Sequence, residues 1–457
     1  MSQNIAITGA TIYSFNNGEL KTWSPGTIQV SGNRIVDIRE GAIEDIECDG
    51  DIKVIDAKNW ILLPGFVNTH LHSHQTVLKS VPGIQNKPLD EWVNKVGLMQ
   101  LSMSPDDYKL CTLGASLELM LSGVTMTADM PYIFGENADT ILESTIAGAK
   151  ESGIRYHLVR SGMGKNEEAI KAGLDEKLLE SSEAMLAGFE KALQYHDFSS
   201  DSMLQVAIGP CGAFDLSMEE CRQVARIADE HGLMINLHLL ESEIERDYIK
   251  EFFHVSIEEF LIHTEFAKKN LWLVHCIYLN DDEISFLADH GIKVASCPTS
   301  NARGEGIAPI TELLSKGVEV GVGVDGFASN DSGNFLSEVK LFRILQGARY
   351  GKTYLSLEDT FRCATAGGAS VLGRHELGKI EKGFLADLVA FDLTESLPHA
   401  GHHHPLLSLF SCTPIKPVWA MVNGKIMIED GRHKFVDEAA LAREIQSIAN
   451  FIQRKFG

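Results

Sequence analysis

The sequence predicts an α/β fold: a (β/α)₈ barrel of TIM type carrying a small β-sandwich domain assembled from both chain ends. Three observations lead there. Through the middle of the chain, short near-continuous apolar segments alternate with amphipathic helical ones. Both ends read instead as β-hairpins. Polar residues of the middle region gather just beyond the apolar segments, where barrels of this kind carry their chemistry.

The buried-strand candidates are 62–69, 124–129, 155–160, 204–208, 234–237, 271–274, 293–296 and 318–324. Helical stretches such as 106–121, 218–231 and 257–267 lie between them. Strands apolar on both faces and separated by helices imply a parallel sheet covered on both sides. Eight such units over roughly 320 residues suit a closed barrel better than an open doubly wound sheet. No G-x-G-x-x-G turn follows the first strand, which counts against a dinucleotide site. At the N-terminal end, residues 5–14 alternate, and 27–30 and 34–38 flank a Ser31-Gly32-Asn33 turn. At the other end 387–392 is a strand candidate, and 417–422 and 425–428 flank Asn423-Gly424. The expected domains are 1–61 (first part of the β domain), 62–376 (barrel) and 377–457 (second part of the β domain plus a terminal helix).

Composition narrows the function. Of 457 residues, 44% are hydrophobic and 23% charged, which is ordinary for a soluble globular protein. The formal net charge of −23 repels phosphate backbones and anionic lipid heads, so neither nucleic acid nor membrane is an expected partner. No run approaches the ~18 apolar residues of a membrane span. Residues 1–14 carry no basic cluster ahead of an apolar stretch, so a cytoplasmic location is expected. The cysteines Cys48, Cys111, Cys211, Cys221, Cys276, Cys297, Cys363 and Cys412 form no C-x-x-C pair and read as free thiols. The triplet His402-His403-His404 reads as an exposed polar loop.

Four of the eight strand candidates end in a possible ligand or proton carrier. Strand one runs into His70-Leu71-His72, strand five into His238 and then Glu241, strand six into His275, strand eight into Asp325. Two imidazoles in His-x-His share one face of a strand and can bind one ion. With His238 and Asp325 they give three nitrogens and an oxygen, a set suited to zinc and acceptable to iron(II) or manganese. An ion so held lowers the pKa of a water from about 15.7 to about 7, making hydroxide available at neutral pH. A carboxyl group nearby but off the ion, such as Glu241, can protonate a departing amine.

Pro64-Gly65-Phe66-Val67-Asn68-Thr69-His70-Leu71-His72 resembles the opening motif of the amidohydrolase superfamily. His238-Leu239-Leu240-Glu241 resembles the H-x-x-E of its aromatic-ring deaminases. The stretch from Asp325-Gly326 to Asn330-Asp331 resembles that of the branch holding 8-oxoguanine deaminases and s-triazine hydrolases. The stretch from Leu377-Gly378 to Ala386-Asp387-Leu388 is also typical, so the likeness covers nearly the whole chain. It implies His70, His72, His238 and Asp325 as metal ligands, Glu241 as general acid/base and His275 as electrostatic partner, with Asp325 also acting in catalysis. Binuclear members bridge two ions with a lysine at the end of strand four. Here that strand ends Gly209-Pro210-Cys211-Gly212, so one divalent ion is expected, zinc before iron(II).

The resemblance implies release of ammonia from an oxo-amino heterocycle such as 8-oxoguanine or guanine. Alternatives are an s-triazine hydrolase and a deaminase of methylthioadenosine or S-adenosylhomocysteine; a non-catalytic scaffold would not be expected to keep Glu241. Gln75, Arg160 and Trp92 are the candidate substrate contacts, Gln75 because its amide could meet a lactam edge. Asn330 and Asp331 are expected to brace the Asp325 loop. A homo-oligomer, a dimer or larger, is expected from the same resemblance.

Overall fold

A computed structural model describes residues 4–42, 52–85, 87–135, 137–171, 173–351 and 355–457. Cys48 lies outside them, and the seven described cysteines are free thiols. Eight parallel strands close a barrel: β1 Phe66–Asn68, β2 Val124–Asp129, β3 Arg155–Arg160, β4 Leu204–Ile208, β5 Met234–Leu239, β6 Leu271–His275, β7 Lys293–Ser296 and β8 Val320–Val322. β8 pairs with β1 through Val322 and Asn68 to complete the ring.

Alternation sorts the side chains of each strand. Val67, Met126, Val159, Ala207, Trp272, Val274 and Ala295 form the apolar fill of the barrel. Tyr156, Leu158, Ile235, Leu237, Leu271 and Leu273 belong to the larger core beneath the helices. Helix boundaries follow local chemistry. Met218–His231 opens with a Ser217/Glu220 capping box and ends at Gly232, whose φ of +64° suits a residue without Cβ.

The terminal strands form one continuous nine-stranded sheet with its own core, including Ile5, Ile12, Trp23, Leu62, Leu388 and Trp419. The long strand Asn4–Asn16 changes partner along its length, pairing with Ile52–Asp56 at Asn4–Thr8 and with Trp60–Pro64 at Thr11 and Ile12. Two expectations need correction. The segment 62–69 is not one strand, and the 61/62 boundary falls inside Trp60–Pro64. That strand pairs with Leu388–Asp392 and belongs to the terminal sheet, and the chain enters the barrel at Gly65, against Thr125 with no room for a Cβ. The terminal helix Glu438–Phe456 touches the β domain at its first residue, where Glu438 Oε1 accepts from the backbone N–H of His433 at 3.1 Å, but its apolar face packs on the barrel. Its Leu441 and Ile445 sit against Leu113 and Leu117 of the barrel helix Pro105–Met120.

A buried ion pair pins the two parts together. Arg155 donates to both carboxylate oxygens of Asp387 at 2.9 Å, with exposures of 0% and 3%. No described helix is long and apolar enough to cross a membrane.

Candidate active site

At the C-terminal mouth of the barrel, Leu71–His72 lies parallel to Asp325–Gly326, with Leu71 opposite Asp325. This places the segment after β1 beside the one after β8. The Nε2 atoms of His70 and His72 stand 3.2 Å apart, and those of His70 and His238 3.1 Å apart. Asp325 Oδ1 lies 3.5 Å from both His70 Nε2 and His72 Nε2.

The outer ring nitrogens fix the tautomers. His72 Nδ1 lies 2.7 Å from the Met130 carbonyl and His238 Nδ1 2.8 Å from that of Cys211. A carbonyl only accepts, so both Nδ1 atoms carry the hydrogen and both Nε2 atoms present lone pairs. These lone pairs converge on His70 with a carboxylate alongside. Burial keeps the imidazoles neutral: it lowers His70 to about 4 and His238 well below the ordinary value. Burial alone would raise Asp325. The hydrogen bond to His70 and the charges of His275 and His72 overcome it and hold the carboxyl well below the usual range. Converging lone pairs and a carboxylate repel one another unless a cation lies between them, so the donors fit a divalent ion.

Beside this set, His275 Nε2 lies 3.6 Å from Glu241 Oε1. His275 Nδ1 is 2.8 Å from Asn301 Oδ1, leaving Nε2 toward the mouth. Strand alternation would place His275 with Leu271 and Leu273 on the outer face, but its φ of +72° turns the ring inward, stacked 5.3 Å from His238. Leu240, Cys276 and Asp325 share the left-handed backbone, at φ of +52°, +51° and +62°. Such strain in non-glycine residues persists only where surrounding contacts enforce it. Here Glu245 does so for the Glu241 loop, accepting from the backbone N–H of Leu240 at 2.7 Å, Glu241 at 2.9 Å and Ser242 at 3.0 Å. Burial raises the Glu241 carboxyl, with His275 partly offsetting it. Against the effect of burial, Glu241 and Asp325 raise His275.

Comparison with known proteins matches this frame. The amidohydrolase family model matches residues 61–427. The chain belongs to the amidohydrolase family. It is 33% identical to the 8-oxoguanine deaminase of Pseudomonas aeruginosa, over 86% of this chain and 88% of that protein. It is 29% identical to the 5-methylthioadenosine/S-adenosylhomocysteine deaminase of Caldicellulosiruptor saccharolyticus, covering 98% and 99%. Among solved structures, atrazine chlorohydrolase of Arthrobacter aurescens TC1 complexed with zinc superposes with a TM-score of 0.90 at 26% identity, covering 97% of this chain and 100% of that one. An amidohydrolase is an enzyme that uses a divalent metal, and the four donors at the barrel mouth could hold one.

The structure thus brings His70, His72, His238, Asp325, Glu241 and His275 to one place. It does not bring Arg160 there. On β3 the inward positions are Arg155, His157 and Val159, and Arg160 shares the outer face with Tyr156 and Leu158. Its guanidinium donates to both carboxylate oxygens of Glu180, at 2.6 and 3.1 Å, and lies 4.3 Å from the Phe134 ring centre. A cavity of about 360 Å³ borders it on the helix side, lined by none of the clustered residues. Trp92 is half-buried in Leu89–Gln100 and packs against the main core; no hydrogen bond or ring contact ties it to the histidines among the described residues.

Gln75 is at the site but its amide is already engaged, accepting from Ala328 N at 3.2 Å and donating to Tyr132 OH at 3.3 Å. Asn330 donates to the Val324 carbonyl at 2.6 Å and to Glu338 at 3.0 Å, holding the loop around Asp325. Asp331 accepts from Arg303 at 2.8 Å and from the Ser80 backbone, tying that loop to its neighbours. His402 and His403 are exposed, and His404 caps Pro405–Ser411 through Leu407 N at 3.3 Å.

Two residues of the site were not among the candidates drawn from the sequence. Tyr132 packs edge-on against His72, ring centres 4.8 Å apart, and Asn301 orients His275. Tyr132 stands three residues past the end of β2, so the rule that chemistry gathers at C-terminal strand ends could have found it. Asn301 lies in the helix after β7, and nothing in its sequence context singles it out.

Proposed function

We propose that this chain is a hydrolytic deaminase of an amino-substituted aromatic heterocycle, of the oxo-amino purine type, with a single zinc ion held by His70, His72, His238 and Asp325. The observation that carries the reading is a half-buried carboxyl at Glu241, its pKa raised by desolvation, 3.6 Å from His275 and outside the donor set. An amine must be protonated to leave, whereas chloride need not be, so this carboxyl favours amine loss. The absence of a lysine in Gly209-Pro210-Cys211-Gly212 supports one ion, and the zinc-bound structural neighbour supports its identity.

Bound there, the ion supplies Lewis acidity that brings the pKa of a water from about 15.7 to about 7. The chain's own groups do the rest. Asp325 Oδ1 and His275 Nε2 face the same space and orient the attacking water toward the ring carbon that bears the amine. Glu241 gives its proton to the adjacent ring nitrogen, recovers one from the water and passes it to the amine. The C–O bond forms, the C–N bond breaks, ammonia leaves with the ring as its oxo product, and the remaining hydroxyl proton returns to Glu241. His275, raised by its carboxylate neighbours, steadies the negative charge that develops on the attacking oxygen.

A second reading, hydrolysis of an s-triazine with loss of chloride or alkylamine, draws on the likeness to atrazine chlorohydrolase. The deciding experiment is ammonia release by metal-analysed enzyme on 8-oxoguanine, guanine, isocytosine, S-adenosylhomocysteine, aminotriazines and pterins. Strong turnover of an oxo-amino bicyclic ring is expected. No ammonia from any of them, with metal present, sinks the deaminase reading and favours the triazine one.

A further inference from the structure

We infer that Tyr132, held by Gln75, supplies the hydrogen-bond donor that recognises the substrate, and that the substrate ring carries a carbonyl oxygen facing it. This rests on the deaminase reading and names the ring feature that selects the substrate.

No acceptor for the phenol proton of Tyr132 is found among the described residues. Tyr132 is 5% exposed, its ring edge-on to His72 at 4.8 Å and to His74 at 5.5 Å. Its phenol oxygen has one hydrogen-bond partner among the described residues, Gln75 Nε2 at 3.3 Å. The orientation of that amide is not free. The backbone N–H of Ala328, 3.2 Å away, can only donate, so the Gln75 oxygen must face it. The amide nitrogen therefore faces the phenol and donates to it. Close packing keeps the amide in place: a Cβ on Gly326 would fall 1.9 Å from the Gln75 oxygen, so only glycine fits next to Asp325. The phenol oxygen is thus an acceptor toward Gln75, and its own hydrogen has no acceptor among the described residues.

Buried donors in folded proteins are nearly always paired, and leaving one unpaired is costly. The direction of this donor identifies its partner. The ring packs edge-on against His72 of the donor set and shares a cluster with Cys211, three residues beyond β4, so the phenol stands at the barrel mouth. A ring placed for attack beside Glu241 and Asp325 lies in that space. A substrate oxygen or water must take the proton, and a carbonyl oxygen on the ring does so at fixed geometry. The lactam-reading role expected of Gln75 then falls to Tyr132, and Gln75 becomes the residue that aims it.

Two variants test this on a matched pair of rings: the best oxo-bearing substrate of the panel and its analogue with hydrogen in place of that oxo group. Tyr132→Phe deletes the donor. Gln75→Glu captures it, since one carboxylate oxygen keeps the Ala328 bond while the other accepts the phenol proton. Each is expected to lower kcat/KM on the oxo ring about ten- to hundredfold, and on the analogue less than about threefold, with metal content unchanged. An equal loss on both rings, or no loss on either, overturns the inference by reducing Tyr132 to a wall of the site. Should Tyr132→Phe fail to fold, Gln75→Glu alone separates the same two outcomes. No ammonia from either ring with metal-loaded wild type removes the deaminase reading itself, and the inference with it.

Discussion

Replacing Glu241 with glutamine separates proton transfer from metal binding. Glutamine keeps the shape of the side chain and leaves the four converging donors untouched, because Glu241 is not among them. It cannot release a proton to the ring nitrogen or the amine. General acid–base catalysis contributes about 10²–10⁴-fold, and at 1.36 kcal/mol per tenfold that is about 3–5 kcal/mol of transition-state stabilisation. The substitution also removes the carboxylate 3.6 Å from His275 that favours its charged form, so the His275 pKa falls. Ammonia release measured alongside metal content should show kcat down by about 10²–10⁴ with KM nearly unchanged and the ion retained. Activity within about threefold of wild type, or a raised KM at unchanged kcat, would refute a proton-carrying role.

Three further outcomes follow from the packing. Arg160→Met should leave kcat/KM within about threefold but lower stability by about 3–5 kcal/mol, because Glu180 loses its partner; a large rise in KM would return Arg160 to the substrate. Asp387→Asn should cost a similar amount in chemical denaturation while sparing the activity of the folded fraction, since it strips the buried Arg155 of its carboxylate at the base of the barrel. Glu338 is 2% exposed, and burial raises its carboxyl from 4.5 to about 7. A carboxyl with a raised folded-state pKa contributes stability below its unfolded value and loses it as pH rises through the folded one. The loss amounts to about 3 kcal/mol between pH 4.5 and 8. Melting curves of wild type and Glu338→Gln should therefore show any stability advantage of wild type shrinking toward pH 8; a pH-independent difference would contradict this.

Much of the barrel was legible because its strands are apolar on both faces and its helices amphipathic. The split at Pro64-Gly65 was not, because Leu62 and Leu63 are as apolar as Phe66 and Val67, and Leu63 and Phe66 share one core while Leu62 faces that of the terminal sheet and Val67 the barrel interior. The metal-type cluster was legible from histidines and an aspartate at strand ends. The conformations that aim them were not. Left-handed backbone at His275 and Asp325 is enforced by tertiary contacts, and neither residue type advertises it. Arg160 shows the converse: it ends a strand as His275 does, but counting alternate positions from Tyr156 and Leu158 places it among the helices. Gln75 stands at the site as its position suggested, yet only the folded chain reveals that Ala328 and Tyr132 have taken both ends of its amide.

The central claim is a one-metal aminohydrolase, and metal reconstitution tests it most directly. Enzyme stripped with a chelator is titrated with zinc while bound metal and ammonia release from the preferred ring are followed together. Activity should rise in proportion to bound zinc and level off at about one ion per chain, with His238→Ala neither binding nor turning over. Ammonia release by the metal-free chain, or a rise that continues to two ions, would contradict the account.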